Sequence, residues 1–558
     1  MASAPTEMTP PKRKRVAIVG AGAAGMAAAW SLSRFPDEFE VDVIEPGEVA
    51  GGVACTLQHD GLPVNYGVQG GSPAAHQNTV EIMRAFGVEV APTKLDVSFG
   101  VGGYNWKNYE AKPLQQRLAA ETRRFGAVLK WLSCLEFVSI FVSIDWVLRV
   151  LRFSEEFRHR MVYPLVALFF GTGNQTPLVS SAIIARVFLD KSLAIFDYDP
   201  DYLLKQTPTN IAFDDLQAFY ATMVAQISAD HCRFHFCRRA TALQRDGGTC
   251  RLIVDDAPPT WRGGSDQLGG EYPIGGGGER CSAEFAAAAA AGRPPPRGVH
   301  VREYDEVILA CPADAARALL GDGATRAERS VLGGVRYFHD LTVTHTDEEY
   351  MRRHNEVDGR AIYFIKSGDE RPDELEMGFE LTAYQPALAP RREAIARGDG
   401  GAKRIYQTIY LDRARSERWT IGELKPECVI DRAWWSAFSH TYEHFRRVVP
   451  WVWSVQGTAH TWYAGSWTLF NTHDIAISSG LAVAHRMGAP YPFAHNPVAA
   501  ATFDTVLAAG HLRPRSADTA LAALSALRPS FMRKDRREAS AKEMHIGCEV
   551  GCPRRKHN

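Results

Sequence analysis

VAIVGAGAAGMAAAW (residues 16–30) followed by VDVIE (41–45) decides the fold. Val16 to Val19 is a short β-branched apolar run, as expected of a strand buried on both faces in a parallel sheet. Three glycines follow at Gly20, Gly22 and Gly25, then an alanine-rich, helix-favouring stretch to about Ser33. A second apolar strand, Val41 to Ile44, ends in Glu45, twenty residues past Gly25. Each part of this βαβ unit has a physical task in holding a dinucleotide. Gly20 permits the tight turn, Gly22 close approach of a pyrophosphate, and Gly25 close packing of helix on strand. The backbone N–H groups of Ala23 and Ala24 open the helix, whose positive dipole end favours phosphate. Glu45 would accept hydrogen bonds from ribose hydroxyls, and its charge disfavours a 2′-phosphate.

The rest of the chain fits a large folded protein. At 558 residues it exceeds what one hydrophobic core normally organises. Hydrophobic residues make up 46% and charged residues 23%, which excludes a wholly disordered or fibrous chain. With 63 Lys+Arg against 64 Asp+Glu the net charge is −1, which argues against nucleic acid as the main partner. The ten cysteines are scattered without a CxxC pair, so neither a disulfide scaffold nor a metal site is expected, and a reducing, cytoplasmic location is. The basic N-terminus lacks the plain apolar core of a secretory signal. Leu135 to Leu151 is the most lipid-like stretch, but Glu136, Asp145 and Arg149 interrupt it. It reads as a buried or interfacial helix that allows peripheral membrane contact, with no transmembrane span.

Six segments are expected: a nucleotide-binding domain in three parts (14–95, 213–330 and 456–495), a substrate domain in two (96–212 and 331–455), and a basic tail (496–558). A helix is read over 77–86, helical pattern from Gln115 to about Leu204, with Ser154 starting one helix and Gly171 stopping it. Strands are read at 233–237, 240–245, 250–254, 304–310 and in several runs between 340 and 415. Residues 257–298 contain ten Gly and six Pro and read as a disordered insertion in a surface hairpin. The last folded element is read as Thr461 to Met487. From 511 onward, 11 Lys+Arg face five Asp+Glu, a solvated tail in which the Cys548, Cys552, His545 and His557 group is incidental.

Two further stretches bear on which dinucleotide is bound. Gly51-Gly52 is followed by the strand-like segment Gly61 to Gly71, which includes Val68. This resembles the flavoprotein arrangement, in which a second glycine pair wraps the pyrophosphate and flavin end of FAD. Near the other end, YAGSWTLFNTHDIAISSGLAVA (463–484) reads as strand, glycine turn at Gly465, then a small-residue helix. The start of that helix, at Asp474 and Ile475, could face a flavin, and His473 reads as a turn residue rather than a base.

The chain resembles the flavin-containing amine oxidase and phytoene desaturase superfamily. Within it, the similarity is to NAD/FAD-binding flavoproteins that often accompany cyclopropane fatty-acid synthases. The likeness runs through residues 20–25 and 51–52, Asp96 to Phe99, Tyr304 to Asp314, Leu332 to Tyr337 with His345 to Asp347, and Trp462 to Ala484. It implies a Rossmann-type FAD-binding domain interleaved with an α+β substrate domain, and bound FAD. It places Ala240 where a backbone group holds the adenine. The superfamily often has arginines where this chain has Pro46 and Val53, which leaves the pyrophosphate more dependent on backbone contacts. The expected activity is hydride transfer from a hydrophobic fatty-acid, polyene or polyketide-like small-molecule substrate, as desaturase or double-bond isomerase. Aromatics of the helical region (among them Phe137, Phe141, Trp146, Phe157, Phe169 and Phe188) would wall its pocket or simply form a core. Trp467 and Tyr384 are candidate flavin-face residues. A flavin amine oxidase and a non-catalytic flavin-binding protein stand as alternatives.

Overall fold

A strand apolar on both faces needs cover on both faces, and the first strand finds it at the centre of a sheet. The computed structural model describes residues 13–513 except 172, 191–195, 207–209, 229–231, 247, 258–297, 368–373 and 400. Within it β1 (Lys14–Val19) leads through α1 (Ala23–Ser33) to β2 (Phe39–Ile44), and Val16, Ala17 and Ile18 are fully buried. Three more strands come from far along the chain: β3 (Cys232–His235), β4 (Glu306–Leu309) and β5 (Thr461–Tyr463). The five form one parallel sheet in the order β3-β2-β1-β4-β5. That is the order of a doubly wound nucleotide-binding sheet, whose ligands sit beyond the carboxyl ends of the strands.

Helices cover the sheet. The helix His473–Met487 packs against α1, because at Gly480 a Cβ would come within 2.0 Å of the Ala24 carbonyl oxygen. Beyond it lies a helix that the sequence reading leaves in the tail, Pro497–His511. Its start is capped by the Asn496 side chain, which accepts from the N–H groups of Val498 and Ala499. It buries Phe503, Val506 and Leu507 in the core shared by α1 and His473–Met487. The folded part therefore extends beyond Met487, to His511.

A second body is built on a seven-stranded sheet. Its order is Val429–Phe438, Tyr337–His345, Tyr406–Tyr410, Leu375–Glu380, Tyr363–Ser367, Val97–Phe99, Trp106–Lys107. All pairs are antiparallel except Val97–Phe99 beside Tyr363–Ser367. Helices between residues 113 and 189 share one core with this sheet, with Phe125 edge-on to Phe153, Phe157 and Phe188. The Ser154 hydroxyl accepts from the N–H of Phe157, and Gly171 ends that helical run in the left-handed conformation. The helical reading fails after 190: Phe196–Asp199 and Leu203–Gln206 pair as an antiparallel hairpin. The lipid-like stretch is broken into Glu136–Ser139 and Ile144–Val150, with the Ser143 hydroxyl capping the second piece. Among the described residues no helix is long and apolar enough to cross a membrane.

A third, three-stranded antiparallel sheet joins Arg238–Asp246, Thr249–Asp256 and Val299–Tyr304. The glycine- and proline-rich insertion, 257–298, lies almost wholly outside the described residues. The strands on either side of it pair directly, Asp255 opposite Val299.

Candidate dinucleotide site

Beyond the carboxyl end of β1 the chain turns at Gly20, whose φ of +103° and close approach to the Ala310 carbonyl oxygen exclude a side chain. At Gly25 a Cβ would lie 1.9 Å from the Gly20 carbonyl oxygen, so the first turn of α1 sits directly on the loop. Gly22 differs: a Cβ there would meet nothing within 4 Å. It is the N-cap of α1, with no side-chain cap and no acidic residue in the first turn. The positive end of this helix, opening at Ala23 and Ala24, is neutralised by neither. Gly51 donates its N–H to the Ala21 carbonyl at 2.9 Å, and a Cβ at Gly52 would be 3.2 Å from the Gly22 Cα. The two glycine pairs, thirty residues apart in sequence, thus form one backbone-walled cradle.

Glu45 closes its side. One carboxylate oxygen accepts the Ala21 N–H and the other the Gly47 N–H, each at 2.8 Å. Burial raises its pKa, and those two hydrogen bonds oppose the rise. The carboxylate fastens the end of β2 to the glycine loop and keeps acceptor capacity for a hydroxyl. Pro46 and Val53 flank this part of the cradle, and Val53 is exposed. Val68 is part-buried against the core of the parallel sheet. Ala240 lies in Arg238–Asp246, opposite Val254, where the strand bulges between Ala240 and Ala242. The same segment is anchored to the site by the Arg238 N–H, which donates to the Glu45 carbonyl at 3.0 Å.

The C-terminal part is brought beside it by β5. Gly465 has a φ of +147° and donates its N–H to the Ser479 hydroxyl at 2.8 Å. His473 is no turn residue: it opens the helix His473–Met487 and is buried, with Nε2 2.7 Å from the Tyr220 hydroxyl and Nδ1 3.3 Å from the Thr79 hydroxyl. Burial lowers its pKa to about 3, so it is neutral. Asp474 turns its carboxylate to the helix Gln77–Ala85, accepting from the Thr79 N–H at 2.7 Å and the Asn78 amide at 3.2 Å. Burial raises its pKa, against the pull of His76. Ile475 is buried, and its N–H donates to the Thr472 hydroxyl.

Trp467 and Tyr384 are both buried but belong to different clusters. Trp467 packs edge-on to Tyr463 and donates its indole N–H to the Cys311 carbonyl. Tyr384 packs against Phe379 in the substrate-side core, and a Cβ at Gly70 would come within 2.4 Å of its hydroxyl. The aromatics of the helical region divide as well. Phe157 and Phe188 are buried, Phe169 is part-buried, and Phe137, Phe141 and Trp146 stand in solvent, so those three wall no interior pocket.

The sequence reading misses the junction between the two bodies. Phe170, His440 and Phe470 meet there, with ring centroids 4.7 Å apart for Phe170–His440 and 4.2 Å for His440–Phe470. Phe470 packs against both cores. His440 Nε2 accepts the Asn471 N–H at 2.7 Å, which puts the ring proton on Nδ1. Burial and the neighbouring His444 hold its pKa well below the ordinary range. Its Nδ1, the Gln69 Oε1 and the Ser478 Oγ are buried without a hydrogen-bond partner.

The parallel sheet and its glycine cradle define a Rossmann-type dinucleotide-binding domain, here combined with a second sheet-and-helix body. A family model for an NAD(P)-binding Rossmann-like domain matches residues 18–86. Nothing among curated protein sequences matches the chain. Among solved structures it is similar to a CLA-producing fatty acid isomerase from P. acnes, at 15% identity and a TM-score of 0.55, covering 86% of this chain and 100% of that one. A wild-type putrescine oxidase bound to putrescine is similar at 14% identity and a TM-score of 0.52, over 86% and 100% of the two chains. Cyclohexylamine oxidase from Brevibacterium oxydans IH-35A is similar at 12% identity and a TM-score of 0.53, over 85% and 100%. The chain shares the fold of these structures.

Proposed function

We propose that this chain is an FAD-dependent oxidoreductase acting on a hydrophobic substrate. The observation that carries the reading is the open N-terminus of α1 at Gly22, walled by Gly52 and closed by Glu45. It suits a pyrophosphate: room where a Cβ would be, N–H donors, and a positive dipole end with no acid in the helix's own first turn. FAD fits these residues better than a free nicotinamide cofactor, since the second glycine pair and the Gly465 turn extend the site in the direction of the second body. In this reading Gly20, Gly22, Ala23, Ala24, Gly25, Glu45, Gly51, Gly52, Val68 and Ala240 hold the nucleotide end, and Gly465, Asp474 and Ile475 the flavin end.

When bound, FAD would supply a hydride acceptor. The chain's own groups bind, orient and exclude water. The junction of Phe170, His440 and Phe470 is aromatic or neutral, which suits an acyl chain or polyene. Loss of a hydride and a proton from adjacent carbons is desaturation; return of the hydride at another carbon is isomerisation, with no net redox change. The fatty-acid isomerase among the similar structures and the resemblance to flavoproteins that accompany cyclopropane fatty-acid synthases favour this substrate class.

The test is direct. The purified protein should show the near-UV and blue absorption bands of a flavin, and Gly22→Asp should be folded but colourless. A yellow Gly22→Asp protein would sink the assignment of the loop. Polyunsaturated fatty acids should be converted, or should shift the flavin spectrum. Rapid peroxide release with putrescine or cyclohexylamine, and no response to fatty acids, would make the chain an amine oxidase instead.

A further inference from the structure

Of the fifteen large apolar side chains exposed among the described residues, seven fall between positions 131 and 151. Trp131 is 57% exposed, Phe137 73%, Phe141 45% and Trp146 58%. They project from three successive helical pieces, Ala119–Cys134, Glu136–Ser139 and Ile144–Val150, and the turn after the second. The inward residues of the same layer, Leu129, Leu132, Ile144, Val147 and Leu148, are buried in the core. The layer is therefore apolar on both faces, and its outer one covers nothing. Patches of this kind mark interaction surfaces.

The cations around it outnumber the acids, although Arg123 is paired with the exposed Asp201, Arg124 with Glu121 and Arg149 with Asp145, and Glu155 is exposed just beyond. Between residues 122 and 153 the exposed charged side chains are Arg123, Arg124, Lys130, Arg149 and Arg152. The two acids in that range are not exposed: Glu136 is buried against Arg186, and Asp145 is held by Arg149, Arg158 and Tyr163. Lys130 and Arg152 make no ion pair among the described residues.

We infer that this layer docks on an anionic lipid surface. Its tryptophans and phenylalanines enter the boundary between headgroups and acyl chains, and Lys130 and Arg152 meet the lipid phosphates. A second copy of the chain would bring its own Lys130 and Arg152 to the same face and supply no counter-charge from the patch itself. The C-terminal segment beyond 511 carries 11 Lys+Arg against five Asp+Glu and is of the same sign. Neither complements the patch as anionic lipid does.

Flotation of the full-length protein with vesicles tests this, and the readout does not depend on flavin content or turnover. The protein should float with phosphatidylcholine vesicles containing phosphatidylglycerol, less with phosphatidylcholine alone. Phe137→Ser/Trp146→Ser, at exposed positions, should keep the thermal midpoint and lose binding by roughly tenfold or more. Lys130→Glu/Arg152→Glu should lose the preference for phosphatidylglycerol. The inference is overturned if the wild type floats with neither vesicle, or if the aromatic variant floats as well as the wild type. It is equally overturned if the wild type is a dimer in solution that the aromatic variant dissociates and neither binds lipid.

Discussion

At Gly22 a Cβ would meet no atom within 4 Å, whereas at Gly25 it would lie 1.9 Å from the Gly20 carbonyl oxygen. On the proposed reading the two glycines, three residues apart, serve ligand and fold respectively, and substitution should separate them. Gly25→Ala should destabilise the chain by about 3 kcal/mol through overpacking, measured by urea denaturation, while Gly22→Asp should stay near wild type. Glu45 serves both ends. Glu45→Gln keeps one carbonyl acceptor but loses the charge, and should weaken FAD by about 1.5–3 kcal/mol, the range for a charge-assisted hydrogen bond. Titration of apoprotein with FAD checks it, and unchanged affinity would count against a ribose role. This much of the cradle was legible because each glycine's task is local, set by a strand and a helix within thirty residues. The histidines were not. His473 finds Tyr220 across 253 positions of sequence and His440 finds Phe170 across 270, and no spacing announces such pairs.

Among the elements, the antiparallel pair Thr249–Asp256 and Val299–Tyr304 closes on its own register, from Cys250 opposite Tyr304 to Asp255 opposite Val299. Replacing 257–298 by a short Gly/Ser turn should leave solubility and flavin content unchanged, because closure entropy varies only slowly with loop length. Loss of soluble protein on that replacement would show that the segment carries structure the pair needs. β1 and β4 were readable from their unbroken apolar runs, whereas Asp42 interrupts β2 and Arg233 and His235 interrupt β3. The hairpin at Phe196–Asp199 was not, since its alternation spans only four residues beside a long helical pattern. Pro497–His511 was missed for another reason: its few large apolar residues, Phe503, Val506 and Leu507, are diluted by alanines and by Asp504, and a basic segment follows it directly.

For the molecule as a whole, buried neutral histidines set the response to acid. Burial holds His444 and His473 at a pKa of about 3, and His511 likewise with help from Arg486. The unfolded chain protonates these groups near 6.5 and the folded one does not. Their contribution is whole above pH 6.5 and is lost as pH falls from there towards 3, by about 1.4 kcal/mol per pH unit for each. Asp340, raised to about 7 by burial, works the other way: its contribution is present below its ordinary 3.8 and lost as pH rises through 7. Burial also raises the pKa of Glu45, Asp214, Glu380 and Asp474, but it lowers that of His76, His345, His354 and His440 as well. The histidines are the more numerous, so the urea midpoint should drop between pH 6.5 and 5. A flat profile over that interval would mean that the histidines are hydrated or charged in the native state.

The parallel sheet draws its strands from nearly the whole length of the chain, with Val307 pairing to Val19's strand on one side and to Thr461 on the other. During synthesis, then, β4 must wait with an open hydrogen-bonding edge until some 150 further residues have left the ribosome, at about 5–20 residues per second. An open apolar edge is a template for wrong pairing. A nascent chain of this design spends that interval as a client for chaperones, and a message cut short before β5 yields a polypeptide with no finished nucleotide pocket to rescue it.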